Sequence, residues 1–404
     1  MQKQAPFRLE FVALMASLMS IVALSIDALL PALPEISASL GVTKVHDNQF
    51  LITMIFLGIG FGQLVFGPLS DSFGRKAIVY IGFLLFIVAS IICLTTKSFE
   101  MMLFGRVLQG IGLASPRTMS IAMIRDSYHG DYMAKIVSIV VMVFILVPVI
   151  APTLGQLLLY WYDWKAIFYV NLGFGLLVML WFWWRQDETL AKQRRIPFRP
   201  SIFITGTKAF FKFKDAVGYT LVSGFITGSF IVYLSTSQQI FEQQYQLAEL
   251  FPFIFASLAI SVGLSTYLNS RFVVRFGARN IAFYAALAYT LISLLYVFLF
   301  INGNNPGIGV LISFFAFQFF AVGLLFGNLR ALAMEPLGHM AGIGAALNGF
   351  ISTVMAVPIA NYIGSFVKTS VLPLFIGFSI FGLLSVLVFL RLNVIERRAA
   401  QQTV

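Results

Sequence analysis

Apolar runs of about 20 residues recur along the whole chain, and no other feature limits its fold so tightly. Each run, wound as a helix, matches the ~30 Å hydrocarbon core of a bilayer. The runs predict helices over residues 9–34, 47–66, 77–96, 99–123, 135–159, 165–184, 216–240, 250–270, 280–300, 308–332, 342–366 and 372–391. With 59% hydrophobic and 11% charged residues, the expected fold class is an all-α membrane protein with twelve transmembrane helices in two six-helix bundles.

A net charge of +11 would point to nucleic acid in a soluble protein. Here the basic residues fall in alternate loops. Placing the N-terminus in the cytoplasm puts Lys3, Arg8, Arg75, Lys76, Arg125, Lys135, Arg271, Arg275, Arg279, Arg391, Arg397 and Arg398 inside, together with the cluster from Arg185 to Lys214. Only Lys44, Lys97, Lys165 and Lys368 fall outside. The charge therefore reports topology, with both termini cytoplasmic, and not a nucleic-acid partner. External loops such as Asn302 to Pro306 are short and polar, which leaves no room for an external domain. The N-terminal run is longer than a signal-peptide core and carries Asp27, so it reads as a retained first helix.

The segment Arg185 to Lys214 divides the runs six and six. The expected organisation is an N-terminal bundle over 1–184, a basic cytoplasmic linker over 185–215, a C-terminal bundle over 216–391 and a cytoplasmic tail over 392–404. Within the linker, Ile202, Phe203, Ile204, Phe210, Phe211 and Phe213 are interspersed with basic residues, as in a helix lying on an anionic leaflet. The halves are related. Gly67-Pro68-Leu69-Ser70-Asp71-Ser72-Phe73-Gly74-Arg75-Lys76 recurs about 203 residues later as Ser270 to Arg279, again basic and again built on Phe-Gly. Both stretches read as short cytoplasmic turns between helices.

Few residues in the runs can carry chemistry. Asp27 is the acid placed firmly within a span, in Asp27-Ala28-Leu29-Leu30-Pro31-Ala32-Leu33-Pro34, roughly 10 Å below the outer surface at ~1.5 Å per residue. It is either a proton or substrate group or a structural acid at a helix broken beside Pro31. Arg106 and Arg117 are eleven residues apart on one helix, about 1100° of rotation, so they share a face within ~20°, with Gln109 and Gly110 on that side. Arg106 lies at about the depth of Asp27, which allows the two to interact. Gly58 and Gly62 form a small-residue packing face. Pro148 and Pro152, followed by Gly155, predict an interrupted and bent fifth helix. In the second half Gln318, Asn328, Arg330, Asn348 and Asn361 are polar and none is acidic, so titratable chemistry is expected in the first half. His46, His129 and His339 are scattered among loops without ligand spacing, and the lone Cys93 rules out an intrachain disulfide. No metal or cofactor is expected, and an enzyme or a passive channel is a distant alternative.

The stretch Gly67 to Lys76 resembles the signature loop of the major facilitator superfamily, and Arg106-Val107-Leu108-Gln109-Gly110 resembles its fourth-helix motif. Asp27 to Pro34, Arg125-Asp126 and Ala333-Met334-Glu335-Pro336 with Ala341-Gly342 are similar to the bicyclomycin and chloramphenicol resistance (Bcr/CflA) group of drug/proton antiporters. Three departures stand out. Ser72 occupies the loop's usual arginine position, Ile121 stands four residues before Arg125 where the group has arginine, and Val147, Ala151 and Gln156 replace fifth-helix glycines.

The resemblance implies two bundles about a central cavity, alternating access, and export driven by the proton gradient across a bacterial inner membrane. It implies that Asp27 is the proton-responsive acid with Arg106 its functional neighbour. Gly67, Asp71, Gly74 and Arg75 would act as a latch against the start of helix 11 near Gly342. Asp27, Gln109, Arg117, Gln318 and Asn348 are the candidate cavity residues. One acid against two arginines suits neutral, zwitterionic or anionic substrates. Export of an endogenous metabolite, such as a siderophore or carboxylate, is the alternative. The partners expected are a small-molecule substrate, protons and lipid, with the chain acting as a monomer.

Overall fold

The computed structural model describes residues 8–42 and 44–402, with residues 45, 130, 131, 134, 338, 339, 341 and 395–402 described by backbone alone. Lys3 lies outside the described residues, as do the side chains of His339, Arg397 and Arg398. Among the described residues, twelve long helices carry the fold. They are α1 (Leu9–Asp27), α2 (Phe50–Phe73), α3 (Arg75–Thr95), α4 (Phe99–Ser127), α5 (Gly130–Trp161), α6 (Lys165–Arg185), α7 (Lys214–Gln238), α8 (Phe251–Phe276), α9 (Ala278–Leu299), α10 (Ile308–Met334), α11 (Ala341–Gly364) and α12 (Leu372–Gln402). Eleven of these, among the described residues, are long and apolar enough to cross a membrane. The twelfth, α4, is equally long but carries Glu100, Arg106, Arg117, Arg125 and Asp126. The chain divides into two compact units between Ile202 and Phe203, six long helices to each.

In the first unit α4 is the central helix, packed on both α2 and α3. Glycines permit the approach. A Cβ on Gly58 of α2 would lie 2.0 Å from the carbonyl oxygen of Val107, and one on Gly110 of α4 would lie 2.0 Å from that of Ile55. The two backbones therefore meet where lipid-phase helices associate best, through small residues and van der Waals contact. The second unit is filled differently, by aromatic rings. Tyr233 sits with its centroid 4.5 Å from Phe319, Phe315 stacks on Phe319 at 5.7 Å, and Tyr296 stacks on Phe375 at 3.7 Å.

Two local expectations are corrected. The stretch Gly67 to Lys76 is not a turn. Helix α2 continues through Pro68 to Phe73, where Ser70 and Ser72 hydroxyls donate back to the carbonyls of Gly67 and Pro68 at 2.7 and 3.4 Å. The reversal is confined to Gly74, whose φ of +99° suits a residue without Cβ, and the second copy reverses at Gly277 with φ +76°. The prolines of α5 lie inside a single helix, Gly130–Trp161, each without an amide hydrogen to donate, and a break in regular helix falls in α1. That helix ends at Asp27, passes through a 3-10 turn Leu30–Ala32 around Pro31, and resumes as Leu33–Ser39. Finally, an acid does stand in a second-unit span. α7 widens into a π-helical turn, Gln239–Gln244, where Glu242 accepts from the Gln238 amide at 2.5 Å.

The basic segment forms a short helix, Ser201–Phe210, with Gly206 and Phe210 buried and Ile204 exposed. Gly206 packs on Ile343 of α11.

Candidate functional site

The break in α1 creates the site. A helix end leaves its last carbonyls without intrahelical donors and carries the negative end of the helix dipole. Arg106, buried in the middle of the unit, answers that end. Its Nη1 and Nη2 both donate to the Ser25 carbonyl at 3.2 Å, and Nε donates to the Leu51 carbonyl of α2 at 2.9 Å. Nη1 also donates to Gln109 Oε1 at 2.6 Å, and Gln109 Nε2 donates to Ser90 Oγ of α3 at 3.0 Å. The Phe168 ring of α6 lies 6.0 Å from the guanidinium carbon. Gln109 is thus a fully buried link between the arginine and α3 and not a surface that a substrate touches.

Asp27 is 5% exposed, and no hydrogen bond or ion pair reaches its carboxyl among the described residues. The interaction with Arg106 that equal depth allows is not a direct pair in this structure. The guanidinium holds the backbone two residues before the acid, because the freed carbonyl there is the better-placed acceptor. On the other side of Asp27 stands Gly155 of α5, where a Cβ would lie 2.0 Å from the carbonyl oxygen of Ala28. Helices α4 and α5 thus grip the backbone on either side of the unpaired carboxyl.

A second polar constellation organises the end of the unit where α2 gives way to α3. Arg75 is 4% exposed, donating from Nε to Asp126 Oδ2 at 3.0 Å and from Nη1 to Asp71 Oδ1 at 2.7 Å and Ser70 Oγ at 2.5 Å. Asp126 follows α4's Arg125, so the Arg75–Asp126 pair fastens the loop to α4. Sequence reasoning missed the third component, Glu188. Its Oε1 accepts from the Arg75 amide at 3.0 Å and its Oε2 from the Lys76 amide at 3.1 Å, which makes it a side-chain cap on the N-terminus of α3. Thr189 donates to Asp126 at 3.3 Å, and the Ile196 amide donates to the Asp71 carbonyl at 3.0 Å. The segment after α6 is therefore strapped across the loop. The available signal was an acid pair, Asp187-Glu188, at the head of a basic segment.

The remaining candidates are dispersed. Arg117 is half-buried about three turns beyond Arg106 on α4. Gln318 is fully buried in the second unit, donating to the Tyr289 carbonyl at 3.3 Å and Ser293 Oγ at 2.7 Å, so it belongs to the α9–α10 core and is corrected as a cavity residue. Asn348 is buried too, donating to Thr220 Oγ1 at 2.8 Å and linking α11 to α7.

A family model described as Major Facilitator Superfamily matches residues 15–360. The chain belongs to this superfamily. It is similar to a bicyclomycin resistance protein homolog of Haemophilus influenzae, 27% identical over 90% of this chain and 91% of that protein. It is also similar to a chloramphenicol resistance protein of Pseudomonas aeruginosa, 30% identical over 64% of this chain and 61% of that one. These similarities are those of a Bcr/CflA-type member. Among solved structures, the human organic anion transporter MFSD10 (TETRAN) shares the fold, with a TM-score of 0.69, 17% identity and coverage of 96% of this chain and 99% of that one. The protein is a multi-pass membrane transporter and not an enzyme.

Proposed function

We propose that the protein is a proton-coupled efflux transporter of the bacterial inner membrane, with both termini cytoplasmic, exporting small neutral, zwitterionic or anionic compounds by alternating access. The names of its relatives support drugs as cargo, with an endogenous metabolite as the second reading. The observation that carries the coupling is the Asp27 carboxyl, buried at the break of α1 with neither a hydrogen bond nor an ion pair among the described residues. A group so placed changes the charge of the site outright when it gains or loses a proton, because no nearby partner compensates.

Protonation and substrate binding then need only favour different conformations for the two fluxes to be linked. The gating role expected for Gly67, Asp71, Gly74, Arg75 and Gly342 belongs to the same proposal. The test is uptake into proteoliposomes under an imposed pH gradient. Wild type accumulates substrate uphill, and Asp27→Asn, folded by thermal scan, retains only downhill exchange. Undiminished uphill transport by Asp27→Asn would overturn the coupling.

A further inference from the structure

Arg330 is a membrane-span cation of the second unit with no partner among the described residues. It lies on α10, seven residues or roughly 10 Å before the end of the apolar run at Leu337. It is exposed, and no carboxylate or hydrogen-bond acceptor pairs with it among the described residues. An arginine that merely reaches for the interface would stand on the lipid-facing stripe of its helix. Arg330 does not. That stripe runs through Val310, Ser313 and Phe317, and Phe317 is thirteen residues away, about 140° around the helix. Arg330 instead aligns within about 20° of Phe319 and 40° of Phe326.

Those two rings meet Phe230 of α7 edge-on, at 5.8 and 5.6 Å between centroids. The guanidinium thus projects from the α7-facing side of α10, one turn cytoplasmic of an aromatic trio. Space is open beside it. A Cβ built on Gly327 would meet nothing within 4 Å.

A membrane-span arginine with its fork free, one helical turn from an aromatic cluster and beside the exposed, side-chain-free Gly327, is arranged to take a planar anion bidentately while the body of the ligand packs on the rings. We propose that Arg330, with Phe326 and Phe230, is the recognition site for the carboxylate of aromatic acids. It deepens the transport reading above by naming the substrate class, and it rests on that reading.

The test compares 1-naphthoate with its neutral isostere 1-naphthamide on purified protein in phosphatidylcholine vesicles. Equilibrium binding and gradient-driven uptake are both measured. Arg330→Gln is expected to weaken naphthoate binding by about tenfold or more and leave naphthamide unchanged, with Arg330→Lys intermediate. Unchanged naphthamide binding shows that the variants are folded. Equal weakening of both ligands, or naphthoate binding that ignores the substitution, overturns the site. Loss of naphthoate binding on adding phosphatidylglycerol would assign the guanidinium to a lipid phosphate and overturn it as well. Charge-selective binding without uphill flux would defeat the antiport reading while the site stands.

Discussion

Removing the Glu188 carboxylate should loosen the loop that precedes α3, and the structure sets the size of the effect. The side chain accepts from the amides of Arg75, Lys76 and Leu190 at 3.0, 3.1 and 3.0 Å, and the first two are orphan donors of a helix N-terminus. Loss of a side-chain cap costs about 0.5–2 kcal/mol, and loss of a negative charge at a helix start about 0.3–1 kcal/mol more. The carboxylate is 25% exposed, so water replaces part of what is lost.

Glu188→Ala should therefore cost about 2 kcal/mol. Glu188→Gln, which keeps Oε1 and its two bonds, should cost about half that. For a unit of this size each kcal/mol lowers the melting temperature by about 2–4 °C. Tryptophan-fluorescence melting of the detergent-purified protein at one fixed scan rate reads the shift. The expected decreases are about 4–8 °C for Ala and about half that for Gln. Arg195→Ala should move the transition least, because its 3.7 Å ion pair with Glu188 is partly exposed. A melt of Glu188→Ala within experimental error of wild type, or an Arg195→Ala shift as large as that of Glu188→Ala, would refute the assignment of the cap.

Three further outcomes follow from the same packing. Gly155→Ala places a methyl 2.0 Å from the Ala28 carbonyl oxygen, a backbone atom that cannot swing aside, and should destabilise by about 1–3 kcal/mol; Gly173→Ala on α6, with nothing within 4 Å, should be neutral or stabilising in the same melt. Arg75→Ala leaves Asp126, 4% exposed, without its cation and should cost about 3–5 kcal/mol, whereas Arg75→Ala with Asp126→Asn should recover part of the loss in a double-mutant cycle. Arg106→Lys keeps the charge but cannot span the carbonyls of Ser25 and Leu51 and the Gln109 amide together, so it should lower the melting temperature and the folded yield sharply, by more than about 3 kcal/mol.

The long helices were readable because a bilayer demands a fixed apolar length, which recurs along the chain, and because charged residues collect between the runs. Both signals are averages over many residues, and they tolerate error at any one. What failed was local. Gly67-Pro68 looked like a turn, yet the helix passes through it, held by Ser70, Ser72 and the Arg75 cluster, none of which announces a partner in sequence. Counting residues placed Asp27 and Arg106 at one depth, and the guanidinium does reach the Asp27 end of α1. Depth says nothing of azimuth, however, and the acceptor chosen was a backbone carbonyl, which every residue carries. Glu188 and Glu242 lie just past the predicted spans that end at 184 and 240, and nothing in sequence announces their partners, which are backbone amides and a neighbouring glutamine.

The absence of a direct Asp27–Arg106 pair strengthens a particular form of coupling. Had the two been bonded, protonation of the acid would act by breaking one contact. Instead, the acid stands between two grips on its own chain, the Arg106 fork on the Ser25 carbonyl and Gly155 of α5 on the Ala28 carbonyl. Only Ile26 and Asp27 separate the gripped residues, and regular helix ends there, so relative motion of α4 and α5 must be absorbed in these few peptide units. In the proposed cycle, the conformation of that short segment decides whether water reaches the carboxyl, and the charge of the carboxyl decides which conformation is favoured. Relaxing either grip should then change transport at a fixed pH gradient even when Asp27 is intact. Conversely, a Gly155→Ala protein that is folded but displaced at Ala28 should leak protons without moving substrate, seen as collapse of an imposed pH gradient in substrate-free proteoliposomes. A tight, fully coupled Gly155→Ala protein would place the coupling elsewhere than the break in α1.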